Sequence, residues 1–184
     1  MRRALVSLLT VVVGTSLVVG GQGVEKKQPQ AELKVELKRV HMCCEGCADE
    51  VAEVLKKVKG VKTVTVDQEI TTARFVAPDA NTAQTALDAL AAAGFHGDSG
   101  SKAFAFKDDS GVKAGKVKVL ALTGFHNSCP GCVTAFRQAI KDVPGVTGDN
   151  LKSKVTTCEI RGDFDAAVLV EALNKGGFHV KVKN

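Results

Sequence analysis

The chain is written twice, and this constrains its fold more than any single motif. Laying residue n over residue n+85 places His41, Cys44, Gly46 and Cys47 on His126, Cys129, Gly131 and Cys132. Val58-Lys59-Gly60-Val61 falls on Val143-Pro144-Gly145-Val146, and the stretch Ile70 to Phe75 falls on Val155 to Ile160. With two residues deleted in between, Gly94-Phe95-His96 then meets Gly177-Phe178-His179. Self-similarity at a fixed offset sets the architecture before local propensity does, and here it predicts two units of about 70 residues.

Each unit parses by hydrophobic period. Leu33, Val35 and Leu37 alternate with Lys34, Glu36 and Lys38, which predicts a strand with one face buried. Ala48, Val51, Leu55 and Val58 recur at helical spacing, as do Val133, Phe136, Ile140 and Val143. Gly60 and Gly145 stand where those helices should stop. A strand over Val61 to Asp67, its hairpin partner over Ile70 to Val76, and a helix burying Ala83, Leu87, Leu90 and Ala91 complete the first copy. The second copy adds a fourth strand at His179 to Val182. The order predicts an α+β fold of two tandem ferredoxin-like βαββαβ domains, each an antiparallel sheet with two helices on one face. Gly97 to Ser101 interrupts the fourth strand of the first copy, which either resumes at Ala103 to Phe106 or joins the linker. Thr147 to Asn150 predicts a short or frayed strand in the second copy.

Ahead of the repeat, Arg2 and Arg3 precede an apolar run from Ala4 to Val19, followed by Gly20, Gly21 and Gly23. That is the layout of a secretory signal peptide. Thr10, Gly14, Thr15 and Ser16 break the run below about 18 unbroken apolar residues, so an uncleaved membrane tether is the alternative and cleavage the main expectation. The expected organisation is a signal peptide over 1–23, a disordered lead over 24–31, a first domain over 32–107, a linker over 108–115 and a second domain over 116–184. Export would place the protein in the periplasm or outside the cell. The net charge of +5 is spread over scattered lysines balanced by acids, and the eight Phe come with no Tyr or Trp. That composition argues against a nucleic-acid partner. There is also no nucleophile motif, phosphate-cradling glycine loop or His-Glu-x-x-His helix, so neither an enzyme nor a small-molecule substrate is expected.

What the repeat keeps is a pair of thiols. A cysteine three residues after another, at a helix start, puts both sulfurs on one side of a tight loop, where helix amides and dipole favour the thiolate. Thiolates suit soft or borderline ions, Cu(I) first and Zn(II) second, whereas Ca(II) and Mg(II) need oxygens. Two thiolates fall short of the four ligands of a closed structural zinc site, and such an open site suits a metal that is handed on. The predicted ligands are Cys44 with Cys47 and Cys129 with Cys132. Cys43 has no counterpart thiol, since Ser128 stands at its place, so it is either a third ligand or a bystander. In the predicted sheet His41 ends the first strand and His96 begins the last, with His126 and His179 repeating them. All four are therefore auxiliary metal candidates at the thiol end of their own domains, against the plainer reading of surface residues closing a strand. Cys158 alternates with Ile160 on the third strand and is expected in the core.

These residues resemble the heavy-metal-associated domain family, found in copper chaperones and in the metal-binding arms of P-type metal ATPases. Its Met-x-Cys-x-x-Cys pattern matches Met42, Cys44 and Cys47, and its glycine-valine step matches Gly60-Val61. The resemblance covers roughly residues 32 to 107 and 116 to 184, with His41 standing where the family has glycine and Asn127 where it has methionine. It implies transition-metal binding by each Cys-x-x-Cys pair, for transfer or sequestration, with a membrane metal transporter or another metal-binding protein as partner. Two rivals remain. One is thiol-disulfide exchange, encouraged by Cys129-Pro130-Gly131-Cys132. The other is a structural or protein-binding module whose cysteines do nothing.

Overall fold

The computed structural model describes residues 32–183; the expected signal peptide and lead lie outside them. Among the described residues the elements run β1 (Leu33–Leu37), α1 (Glu45–Lys57), β2 (Lys62–Asp67), β3 (Thr72–Ala77), α2 (Ala80–Ala92), β4 (Lys116–Thr123), α3 (Pro130–Ile140), β5 (Val146–Asp149), β6 (Thr157–Asp165), α4 (Ala166–Lys175) and β7 (Lys181–Val182). No helix among the described residues is long and apolar enough to cross a membrane. The fold is α+β, with two antiparallel sheets and four helices. One sheet has the order β1-β3-β2 and the other β5-β6-β4-β7.

Two hydrophobic cores form, one under each sheet. In the first half Val35 and Leu37 of β1 and Phe75 of β3 face Val51 and Leu55 of α1 and Leu87 and Leu90 of α2. In the second, Leu120, Leu122, Ile160 and Phe164 face Phe136 and Ile140 of α3 and Leu169 and Leu173 of α4. The alternating strand residues and the helical stripes point inward as their periods dictate. Cys158 is buried in this second core.

The first half departs from four strands. Its final strand shrinks to one bridge, in which Lys38 and Asp98 exchange backbone hydrogen bonds of 2.9 and 2.8 Å. Turn chemistry ends the pairing there: the Asp98 side chain accepts from the Gly100 amide, and Gly100 takes a positive φ of 59°. Strand pairing does not resume at Ala103 to Phe106. Instead the Gln84 side chain of α2 donates to the Ala105 carbonyl and accepts from its amide, at 2.9 and 3.0 Å, standing in for a strand neighbour. β5 is present but only four residues long.

The repeated Gly-Phe-His segments join the halves. Phe95 and Phe178 form an antiparallel bridge, the His96 amide donates to the Gly177 carbonyl at 2.9 Å, and the His179 amide donates to the Gly94 carbonyl at 3.0 Å. Both glycines have a left-handed φ, +84° and +85°. A Cβ on Gly94 would overlap the backbone of Phe125 and His126, and one on Gly177 would overlap that of Arg39 and His41. The segment between the halves, 108–115, is tied down at Ser110, whose carbonyl accepts from the Val182 amide at 2.8 Å.

Phe136 lies at the centre of the second core, fully buried, with ring centroids 5.0 Å from Phe125 and 5.3 Å from Phe178. Phe136→Ala is expected to lower the unfolding free energy by about 3–5 kcal/mol, read from urea denaturation.

Candidate metal centre

α1 and α3 begin alike. Cys44 and Cys129 are their N-cap residues, both in extended conformation, and neither spends its side chain on capping. The next turn brings the Cys47 amide to the Cys44 carbonyl at 3.0 Å and the Cys132 amide to the Cys129 carbonyl at 3.1 Å. Each pair of sulfurs is thereby stacked on one helical turn, 3.5 Å apart for Cys44 and Cys47 and 3.7 Å for Cys129 and Cys132. Pro130 replaces Glu45 at the first helical position, where a missing N–H costs nothing.

The two loops face each other. Cys47 Sγ lies 3.8 Å from Cys132 Sγ, and Cys44 Sγ lies 3.9 Å from Cys129 Sγ. Cys43, left open by the sequence, sits in the middle: its sulfur is 3.6 Å from Cys47, 3.5 Å from Cys129 and 3.6 Å from Cys132. Gly131 makes room for it, since a Cβ there would meet Cys43 Sγ at 3.0 Å. The sequence predicts one thiol pair in each half; the structure brings both pairs and Cys43 into a single five-sulfur cluster, with all six cysteines of the chain free.

Two of the four histidines border the cluster, and each reaches across. His126 Nε2 is 3.3 Å from the sulfur of Cys47 in the other half and 3.1 Å from Ser128 Oγ. Its Nδ1 faces Glu50 Oε2 of α1 at 3.4 Å. His41 offers a ring nitrogen that shares a 4.8 Å sphere with the sulfurs of Cys43, Cys47 and Cys132. Its Nε2 is buried and makes no hydrogen bond among the described residues. The rings are fixed by stacking on the opposite half, His41 on Phe178 at 4.2 Å and His126 on Phe95 at 4.3 Å. His96 and His179 go elsewhere. They stack on each other at 5.9 Å, His96 also on Phe106, and His179 Nε2 meets Asp109 Oδ1 at 2.7 Å. No contact among the described residues joins either ring to a sulfur.

The cluster separates its thiols electrostatically. Cys132 is pulled well below the usual thiol range, chiefly by the hydrogen bond from Cys47 and further by the imidazoles of His126 and His41, against the opposing cost of burial. Cys47, the donor to it, is correspondingly pushed up. Cys43 is pushed up mainly by burial. Cys44, at the rim, is lowered first by the Cys47 backbone N–H and then by the Cys47 thiol. Cys158, buried in its core, is pushed up to about 12. Met42 and Asn127, at the same position of the two thiol loops, behave differently. Met42 is buried in the first core, whereas Asn127 donates to the carbonyls of Lys152 and Val155 at 2.8 and 2.7 Å, pinning the loop before β6.

Residues 38–96 match the heavy-metal-associated domain. The match lies in the first half and spans His41, the first thiol loop, α1 and α2. No curated protein matches the chain. Among solved structures, the N-terminal soluble domains of Bacillus subtilis CopA are 16% identical over 84% of this chain and 95% of that one, with a TM-score of 0.30. The water-soluble region of the P-type ATPase CopA from Bacillus subtilis is 17% identical over 84% and 93%, also with a TM-score of 0.30.

Two outcomes are expected from this geometry. Limited iodoacetamide treatment at pH 7, followed by peptide mass spectrometry, should label Cys44 well before Cys158, because the thiolate is the reactive form. His96 is lowered to about 4, first by burial and then by His179 and Arg39, against Asp98. Unfolded, it titrates near ~6.5, so between the two values the unfolded chain holds the extra proton. Its contribution to stability is thus complete above ~6.5 and lost as pH falls toward 4. Urea midpoints measured between pH 7.5 and 4.5 should fall, with a shallower slope in His96→Gln.

Proposed function

We propose that this is an exported, non-enzymatic protein that binds a soft transition-metal ion through thiolates of Cys44, Cys47, Cys129 and Cys132, with Cys43 beside them. Its halves are read as tandem copies of the heavy-metal-associated unit, and its role as metal transfer or sequestration. Cu(I) is the first choice of ion and Zn(II) the second, on the preference of soft sulfur donors. The observation that carries the proposal is the convergence of five free sulfurs with spacings of 3.5 to 3.9 Å. Four sulfurs around one ion at ~2.3 Å bonds stand ~3.8 Å apart, so the cluster has the dimensions of a metal site before any ion enters. A membrane metal transporter or another thiol-bearing metal protein fits as the partner.

Thiol-disulfide exchange is the second reading, favoured by the same closeness of Cys43 and Cys129 across the halves. A competitive Cu(I) titration of the fully reduced mature protein against a chromophoric chelator separates the two. Altering groups that merely orient ligands costs about 10–100-fold in affinity, so Cys44→Ser with Cys47→Ser should cost more than ~100-fold at the ions it serves. A reduced protein unable to compete for Cu(I) or Zn(II), yet reducing a disulfide-bonded partner while forming a disulfide of its own, would transfer the assignment to redox chemistry.

A further inference from the structure

We infer that the chain holds its metal in one site shared between the halves, with ligands from Cys43 and Cys47 of the first and Cys129 and Cys132 of the second. Thiolate metal binding as proposed above is its premise; what is added is where the ion sits, with Cys43 in place of Cys44 as the fourth resident ligand, and what it joins. Among these four sulfurs, five of the six separations run from 3.5 to 3.8 Å. Neither half supplies four sulfurs alone. The first thiol loop has three, Cys43, Cys44 and Cys47, and the second has two, with Ser128 where Cys43 would repeat.

The surroundings are built for sharing. Gly94 and Gly177 hold the halves in register through reciprocal backbone contacts that admit no side chain. Two histidine rings that stack across this seam border the sulfurs: His126 has Nε2 3.3 Å from the Cys47 sulfur and Nδ1 facing Glu50, and the unpartnered, buried His41 Nε2 belongs to a residue within reach of Cys43, Cys47 and Cys132. A carboxylate holding the far nitrogen of an imidazole is the usual support for a metal-facing histidine. Cys44 lies outside the four, 3.5 Å from Cys47 and 3.9 Å from Cys129, at the partly open rim. It is placed as the thiol that meets an incoming or departing ion. Each thiol that ligates releases its proton to solvent, and an ion bound by both halves must also strengthen their docking.

The test uses the reduced full-length mature protein with Cd(II), a soft ion without redox chemistry, whose thiolate charge-transfer absorbance reports bound sulfurs. Cys47→Ser and Cys132→Ser are titrated singly, beside Gly94→Ala/Gly177→Ala, which keeps every sulfur but disturbs the seam. A shared site gives one tight ion with about four thiolates. Either single cysteine change then removes the whole tight signal, and the glycine pair weakens binding by more than ~100-fold while retaining all thiols. Two ions in the wild type, each lost only with the cysteine of its own half, would overturn sharing and leave metal binding intact. No uptake of Cd(II), Cu(I) or Zn(II) by the wild type would remove both. If the glycine variant does not fold, as read by circular dichroism, the two cysteine variants decide the matter alone.

Discussion

The docking of one half on the other, through Gly94-Phe95-His96 and Gly177-Phe178-His179, is the contact on which the site depends. Each glycine lets its own chain approach the backbone just ahead of the opposite thiol loop, and each phenylalanine gives the opposite histidine a face to stack on. Without that register the thiol pairs would lie on separate helix starts, each an exposed two-sulfur loop. With it, burial, sulfur-sulfur hydrogen bonds and imidazole nitrogens act on the same few atoms. The protonation order of the thiols follows from this arrangement, since the largest influence on Cys132 and on Cys47 is in each case a sulfur of the other half.

The repeat is nevertheless unequal, and its departures cluster around the sulfurs. In the repeat Cys43 aligns with Ser128, Glu45 with Pro130, and Met42 with Asn127. Met42 anchors its loop by burial, while Asn127 does so by two hydrogen bonds to the chain before β6. Ser128 bridges His126 and Cys132 instead of adding a sulfur. The second loop carries a proline in its first turn, and the first contributes the extra sulfur.

Much of the fold was legible because strands and helices write their period into the chain. The Val35/Leu37 alternation and the Val51/Leu55 stripe appear where the pattern put them, whereas α3 ends at Ile140, short of Val143 and of the expected stop at Gly145. The last strand of the first half was not, because an Asx turn at Asp98 and a side-chain clamp from Gln84 outcompeted pairing. At the site, the spacing of Cys44 and Cys47 revealed a helix-start thiol pair. The role of Cys43 was hidden, because its neighbours lie more than eighty residues away and no local period records such a contact. The one available signal was the repeated Gly-Phe-His: two positive-φ glycines beside aromatic residues mark a close backbone approach, and nothing within one half required it. Two of the four histidines, His41 and His126, do lie beside the sulfurs, but His126 meets Cys47 across the seam instead of a thiol of its own half, and His179 turns to Asp109.

Five is an odd number of sulfurs, and oxidation removes them in twos. Each disulfide consumes two thiols and gives up two electrons to the oxidant and two protons, so closing the cluster as far as disulfides allow forms two bonds and leaves one sulfur unpaired. The sixth cysteine, Cys158, is sealed in the second core and cannot complete the set. As long as oxidation goes no further than disulfides within the cluster, one sulfur is left able to attack a neighbouring disulfide and reopen it.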